Sequence, residues 1–105
     1  MIARVWSART TPALSSAYLE HFSQRVQPEL ERIDGFLGFA VCTRSAPGGT
    51  EVLVTTFWNS FAAIDAFAGR DRESAVVAAE AAALLTDYDR RVRHYEVALS
   101  SFPNR

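Results

Sequence analysis

Both histidines of the chain sit where a proton could be moved. His94 and Glu96 stand two residues apart in RVRHYEVAL, and on a strand that spacing puts both side chains on one face. A carboxylate beside an imidazole raises its pKa and holds one tautomer, which suits a general base. The pair also reads as a plain surface contact near a strand end. His21 lies one helical turn after Tyr18 and one before Arg25, at the edge of an apolar stripe. From there it reaches a pocket between helix and sheet, or simply stands in solvent. No HxxxH or HxH spacing occurs and Cys42 is the single cysteine. No metal site and no intramolecular disulfide is therefore expected, and Cys42, inside FLGFAVC, reads as a small core residue.

The other candidates would shape a pocket. Trp6 and Trp58, with Tyr18, Phe22 and Phe67 from helical stretches, are candidate walls for a flat aromatic ligand. An indole buried in so small a domain needs a partner for its N–H. Asn59 follows Trp58 and could donate to a ligand oxygen, although capping the next helix already explains it. Tyr88, between Asp87 and Asp89, is a candidate rim residue. Arg4, Arg91 and Arg93 fall on strands, and a buried arginine needs an acidic partner or an anionic ligand. Cross-subunit pairing with Glu51 or Glu96 is one option, and anchoring a substrate phenolate by Arg4 is the other.

These positions are carried by a readable order of elements. Ile2–Arg9 suits a strand buried on both faces. Thr11 and Pro12 form a helix start. Leu14, Tyr18, Phe22, Val26 and Leu30 then recur at spacings of four, predicting an amphipathic helix to Ile33, which Pro28 kinks or divides by beginning a second helical piece, and which closes at Asp34-Gly35. Phe36–Arg44 and Glu51–Trp58 read as strands joined by the turn Ala46-Pro47-Gly48-Gly49. Asn59-Ser60 opens a short helix that Gly69 stops. The Ala-rich stretch predicts another helix over Arg72–Leu85, and Arg91–Leu99 is the last strand. The order β-α-β, hairpin, β-α-β predicts an α+β, ferredoxin-like split β-α-β domain with a four-stranded antiparallel sheet. Val5, Leu53, Val54, Phe57, Tyr95 and Val97 do not fall on one parity, so both sheet faces must be covered. Helices cover one, and a second copy packed sheet to sheet covers the other, predicting a homodimer.

Composition agrees. The chain has 105 residues, 49% of them hydrophobic, with seven Phe, three Tyr and two Trp. This reads as one ordered domain, 1–99, with a tail at 100–105. A chain this small buries only about two thirds of its surface alone, which again favours a partner subunit. Eleven arginines and no lysine nearly balance twelve acidic residues, for a net charge of −1. That balance argues against nucleic acid or an anionic membrane as partner. No apolar run reaches membrane-span length and MIARVWSART is no signal peptide, so a cytoplasmic protein is expected.

The opening MIARVW, the segment IDGFLGFAV, the run FWNSFAAIDAFAG and the ending DYDRRVRHYEV resemble the antibiotic biosynthesis monooxygenase domain proteins. The resemblance runs from Met1 to about Val97. It implies a dimeric α+β barrel, with two facing sheets and a pocket in each subunit between sheet and helices. It also implies oxidation of a hydrophobic phenolic, polyketide-type small molecule by O2 without flavin, heme or metal, the deprotonated substrate supplying the electrons. An isomerase or cyclase using the same pocket, and a non-catalytic ligand-binding or helper protein, remain open alternatives. Heme-degrading relatives are similar in fold and use an Asn on the first strand and a Trp and a His on a later helix. Here the first strand has no Asn, and Phe67 and Val77 stand at the other two positions.

Overall fold

The computed structural model describes residues 1–102. Strand β1, Ile2–Thr10, leads into helix α1, Pro12–His21. The Thr11 side chain accepts the Leu14 N–H and Pro12 occupies the first turn, where no N–H is missed. Beyond His21 the expected single helix does not continue. A π turn, Phe22–Val26, intervenes before helix α2, Gln27–Glu31. The cause lies in the stripe. Steps of four overshoot a full α-helical turn by about 40° each, so Leu30 would rotate away from the sheet. The π turn, closed by the Gln27 N–H on the Phe22 carbonyl, is wider and restores the phase, leaving Tyr18, Phe22 and Leu30 all buried. Pro28 does not kink the arm but begins its second helical piece, as the other reading of the sequence expects, in the first turn of α2. The chain leaves this helical arm through Gly35 at φ 95°, where a Cβ would stand 2.5 Å from Asn59 Oδ1 and 2.7 Å from Ala63 Cβ.

Strands β2, Phe36–Ala46, and β3, Gly49–Trp58, form the expected hairpin. Helix α3, Phe61–Ala68, is capped by Ser60, whose side chain accepts the Ala63 N–H, and ends at Gly69 with φ 82°. Asn59 is therefore not the cap. The Ala-rich stretch also departs from expectation, with helix α4 confined to Ala79–Ala82. Helix propensity is a weak preference, and stronger ties hold the residues before α4 in an irregular strap. The Ala75 N–H reaches the Arg90 carbonyl and the Val92 N–H reaches the Glu73 carbonyl. Ser74 bridges to Arg91, and Arg91 pairs with Asp71 and Glu73.

The last strand is broken in two, β4 at Asp87–Tyr88 and β5 at Arg93–Glu96, rather than running over Arg91–Leu99. Both pair antiparallel with β1. The sheet order is β2-β3-β1-β4, with β5 also on β1, and every pairing is antiparallel. The fold is α+β and ferredoxin-like, its fourth sheet position shared by two short strands. Ile2, Arg4, Trp6 and Ala8 of β1 lie opposite Trp58, Thr56, Val54 and Val52 of β3 and face the helices. Ala3, Val5 and Ser7 lie opposite Phe57, Thr55 and Leu53 on the open face. The core between helices and sheet holds Trp58, Leu30, Ile64 and Val52, all under 2% exposed. Cys42, level with Leu53, is exposed on the open face rather than buried. In the tail, Phe102 packs edge-on against Phe57 at 5.4 Å; residues 103–105 lie outside the described ones. No helix among the described residues is long and apolar enough to cross a membrane.

Candidate functional site

Between the helical arm and the sheet lies a cavity of about 70 Å³. Strands supply Arg4, Trp6, Val54 and Thr56, and the arm supplies Tyr18, His21, Phe22, Val26 and Leu30. Phe67 from the end of α3, and Val76, Val77 and Ala78 from the strap, close the far side. The π turn matters here, since it aims Phe22 and Val26 inward on the same side as His21. Six of the residues singled out in the sequence meet in this space: Arg4, Trp6, Tyr18, His21, Phe22 and Phe67.

Besides Thr56, three polar groups interrupt the apolar lining. The His21 Nε2 atom is buried with no hydrogen-bond partner, which is costly unless something else occupies the space beside it. Tyr18 is 4% exposed, and burial pushes its phenol up to about 12, so it stays a neutral hydroxyl. Arg4 is also 4% exposed. Its Nη1 donates to the Arg72 carbonyl and to His94 Nε2 at 3.1 Å, and its Nη2 donates to the Ser74 carbonyl at 2.9 Å. The guanidinium lies 5.6 Å from the Phe67 ring centroid. Burial lowers the Arg4 pKa to about 10, still charged at neutral pH.

The remaining candidates lie elsewhere. His94 and Glu96 share the helix-side face of β5, but neither lines the cavity, and no hydrogen bond or ion pair joins them. The expected rise in the His94 pKa is reversed: burial and then the Arg4 charge hold it below its ordinary value. Neutral His94 accepts from Arg4 at Nε2 and stacks edge-on against Phe61 at 5.7 Å. Trp58 is a core residue behind the cavity, 0% exposed, with its indole N–H on Thr56 Oγ1 at 2.9 Å. Asn59 is exposed, and its backbone N–H meets the Gly35 carbonyl at 2.9 Å. Tyr88 packs on Trp6 at 6.2 Å without reaching the cavity. The Trp6 indole N–H donates to the Asp89 carbonyl at 2.7 Å, so Trp6 offers the cavity its ring and not its donor. Among the described residues, no three His, Cys, Asp or Glu side chains are grouped to hold a metal ion.

Sequence reasoning missed Thr56 and the strap residues Val76–Ala78. Thr56 could have been found, as it alternates in phase with the buried Val52 and Val54. The strap had one signal, the acidic Asp71 and Glu73 set against the basic Arg91.

A Streptomyces coelicolor monooxygenase, solved in complex with nanaomycin D, shares 20% identity with a TM-score of 0.67, covering 98% of this chain and 92% of that one. A candidate antibiotic biosynthesis monooxygenase from Bacillus cereus gives 18% and 0.67, with 97% of each chain covered. The heme-degrader of Mycobacterium tuberculosis, with two hemes bound in its active site, gives 25% and 0.62, covering 97% of this chain and all (100%) of that one. No curated protein matches. The sequence pattern of antibiotic biosynthesis monooxygenases matches residues 1–79, and with the ferredoxin-like sheet and its helix-side cavity in place, the chain belongs to that family.

Proposed function

We propose that this protein is a monooxygenase-type enzyme that oxidises a hydrophobic, phenolic, polyketide-type aromatic with O2, drawing the electrons from the substrate rather than from flavin, heme or metal. One observation carries the reading: a proton acceptor with no partner, His21 Nε2, is buried in a mainly apolar cavity walled by Trp6, Phe22, Phe67 and aliphatic side chains, with Arg4, Tyr18 and Thr56 as its other polar residues. Removal of a proton there leaves a delocalised, electron-rich anion able to pass an electron to O2. In the net reaction of an anthrone, one oxygen atom enters the ring CH2, making it a carbonyl, and the other leaves as water with the two hydrogens. His21, rather than His94, is assigned as the base. His94 is already engaged by Arg4 and has its proton affinity lowered. The nanaomycin D bound by one relative and the heme bound by another support a ligand that is flat and hydrophobic.

The test compares aerobic and anaerobic samples of purified protein with anthrone-type phenols, following O2 uptake and quinone absorbance without added flavin or metal. Protein-dependent, O2-dependent quinone formation is expected. Binding without turnover would turn the assignment to an isomerase, cyclase or carrier, and a Soret shift on heme addition together with ring cleavage would turn it to heme chemistry.

The working unit is proposed to be a homodimer packed through the open sheet face. Leu53 and Tyr95, exposed at 40% and 51%, sit there beside Val5 and Phe57, an apolar patch that a second copy would cover. Sedimentation equilibrium at micromolar concentration should give twice the chain mass.

A further inference from the structure

Among the described residues, no carboxylate pairs with the buried Arg4. The carboxylates nearest it turn to other arginines. Asp65 is paired with Arg72 at 2.8 Å, Glu73 and Asp71 are paired with Arg91, His94 is a neutral acceptor, and Tyr18 holds its proton. The backbone carbonyls of Arg72 and Ser74 satisfy hydrogens, not charge. Of the five N–H groups on a guanidinium, these contacts occupy three. The Nε–H and one Nη2–H have no acceptor among the described residues. A cation taken out of water without an anion is costly, and this one forms part of the wall of an apolar cavity. Phe67 softens the cost through its ring face but supplies no charge.

We infer that the ligand of this cavity binds as an anion, an oxyanion carried on an aromatic ring, with its charged oxygen received by the free Nε and Nη2 hydrogens of Arg4. The inference rests on the site proposed above and deepens it. Arg4 becomes the residue that selects ionised over neutral aromatics, and an acidic phenol or an aromatic carboxylate is favoured over an uncharged hydrocarbon or ester. The geometry of a guanidinium suits a carboxylate or phenolate oxygen better than a point charge would.

The experiment uses 4-nitrophenol, whose yellow phenolate reports its own ionisation and which has no ring CH2 to oxidise, so the readout is independent of turnover. Bound to the wild-type protein it should ionise at a pH lower by about one unit, a tenfold preference for phenolate over phenol. Arg4→Met should abolish the shift. Arg4→Lys keeps the charge and loses the fork, so it should retain part of the shift, guarding against a Met variant that fails to fold. Displacement of the dye by benzoate but not by benzamide would place a carboxylate on Arg4. Retention of the phenolate shift with no benzoate displacement would restrict the site to phenolates. An unchanged or raised ionisation pH, a shift that survives in Arg4→Met, or no dye binding at millimolar concentration would overturn the inference. Failure of the anthrone assay with the dye shift intact would instead remove the oxidation chemistry and leave the anion site standing.

Discussion

The two faces of the sheet are built from the same strands and do opposite things. Toward the helices, β1 and β3 place Arg4, Trp6, Val54 and Thr56 around a small cavity. Toward the open side, the residues one position away, Val5, Leu53 and Phe57, are apolar, and Leu53 is exposed. Alternation in a strand normally separates apolar from polar. Here the covered face keeps Arg4 and Thr56 among its core residues, and the bare face keeps Val5, Leu53 and Phe57 beside Ser7 and Thr55. Polar groups retained in a covered layer indicate a site, and apolar groups retained on a bare layer indicate a partner.

Neighbouring residues on opposite faces give the sharpest way to break this contrast. Val54→Asp puts an unpaired charge in the core layer and should cost about 3–5 kcal/mol, read from the denaturation midpoint. Leu53→Asp, one residue away, should leave the chain folded by circular dichroism and convert a dimer to a monomer in sedimentation. Equal loss of folding in both variants would mean that the open face belongs to the chain's own core. Next in size, His21→Ala should lower turnover about 10²–10⁴-fold, the usual worth of a positioned base, while changing dye affinity much less. A comparable fall for His94→Ala with His21→Ala unaffected would move the base to β5.

Smaller effects test the frame around the helix-side face. Thr11→Ala removes the cap of α1 and should cost about 1 kcal/mol, seen as a lowered melting temperature without change in dye binding. The slightest effect is electrostatic. The arginine beside each of Asp65, Asp71 and Glu51 holds its carboxyl below the ordinary range, chiefly through a side-chain hydrogen bond. Because the folded pKa lies below the unfolded one, the stabilisation is present above the unfolded pKa and is lost as pH falls through the folded value. The melting temperature should therefore drop modestly with acidification below about pH 4, and Asp71→Asn should flatten that slope. All three carboxylates reach solvent, Asp71 fully and Asp65 and Glu51 in part, so added salt should weaken the effect.

Much of this was legible in the sequence where local chemistry and tertiary packing agree. Thr11-Pro12, Ser60 and Gly69 mark helix ends by their own conformational preferences, and the β-branched run of β3 could hardly be anything but a strand. Legibility failed where distant contacts decide. The Ala-rich stretch has a helical preference of its own, yet the backbone bonds from Ala75 and Val92 hold the strap open. Sheet parity was unreadable because both faces are rich in apolar residues, and this misplaced Cys42. The cavity aromatics were visible as types. That Trp58 stands behind the wall while Trp6 forms it depends on register and packing, which one chain's pattern does not encode. His21 was underrated because nothing in its neighbours reveals that a ring nitrogen ends up without a partner.

The strap has a consequence for kinetics. A fused-ring ligand needs more room than a cavity of roughly 70 Å³ offers, and Val76–Ala78 form the side of the cavity with the least regular structure. Entry then waits on displacement of these residues against the bonds that Arg4 and Arg91 make to their neighbours. Only the fraction of molecules already open can capture ligand, so the observed affinity is the intrinsic one reduced by that fraction. Association should saturate with ligand concentration at the opening rate, and weakening the Arg91–Asp71 tie should speed capture and escape together.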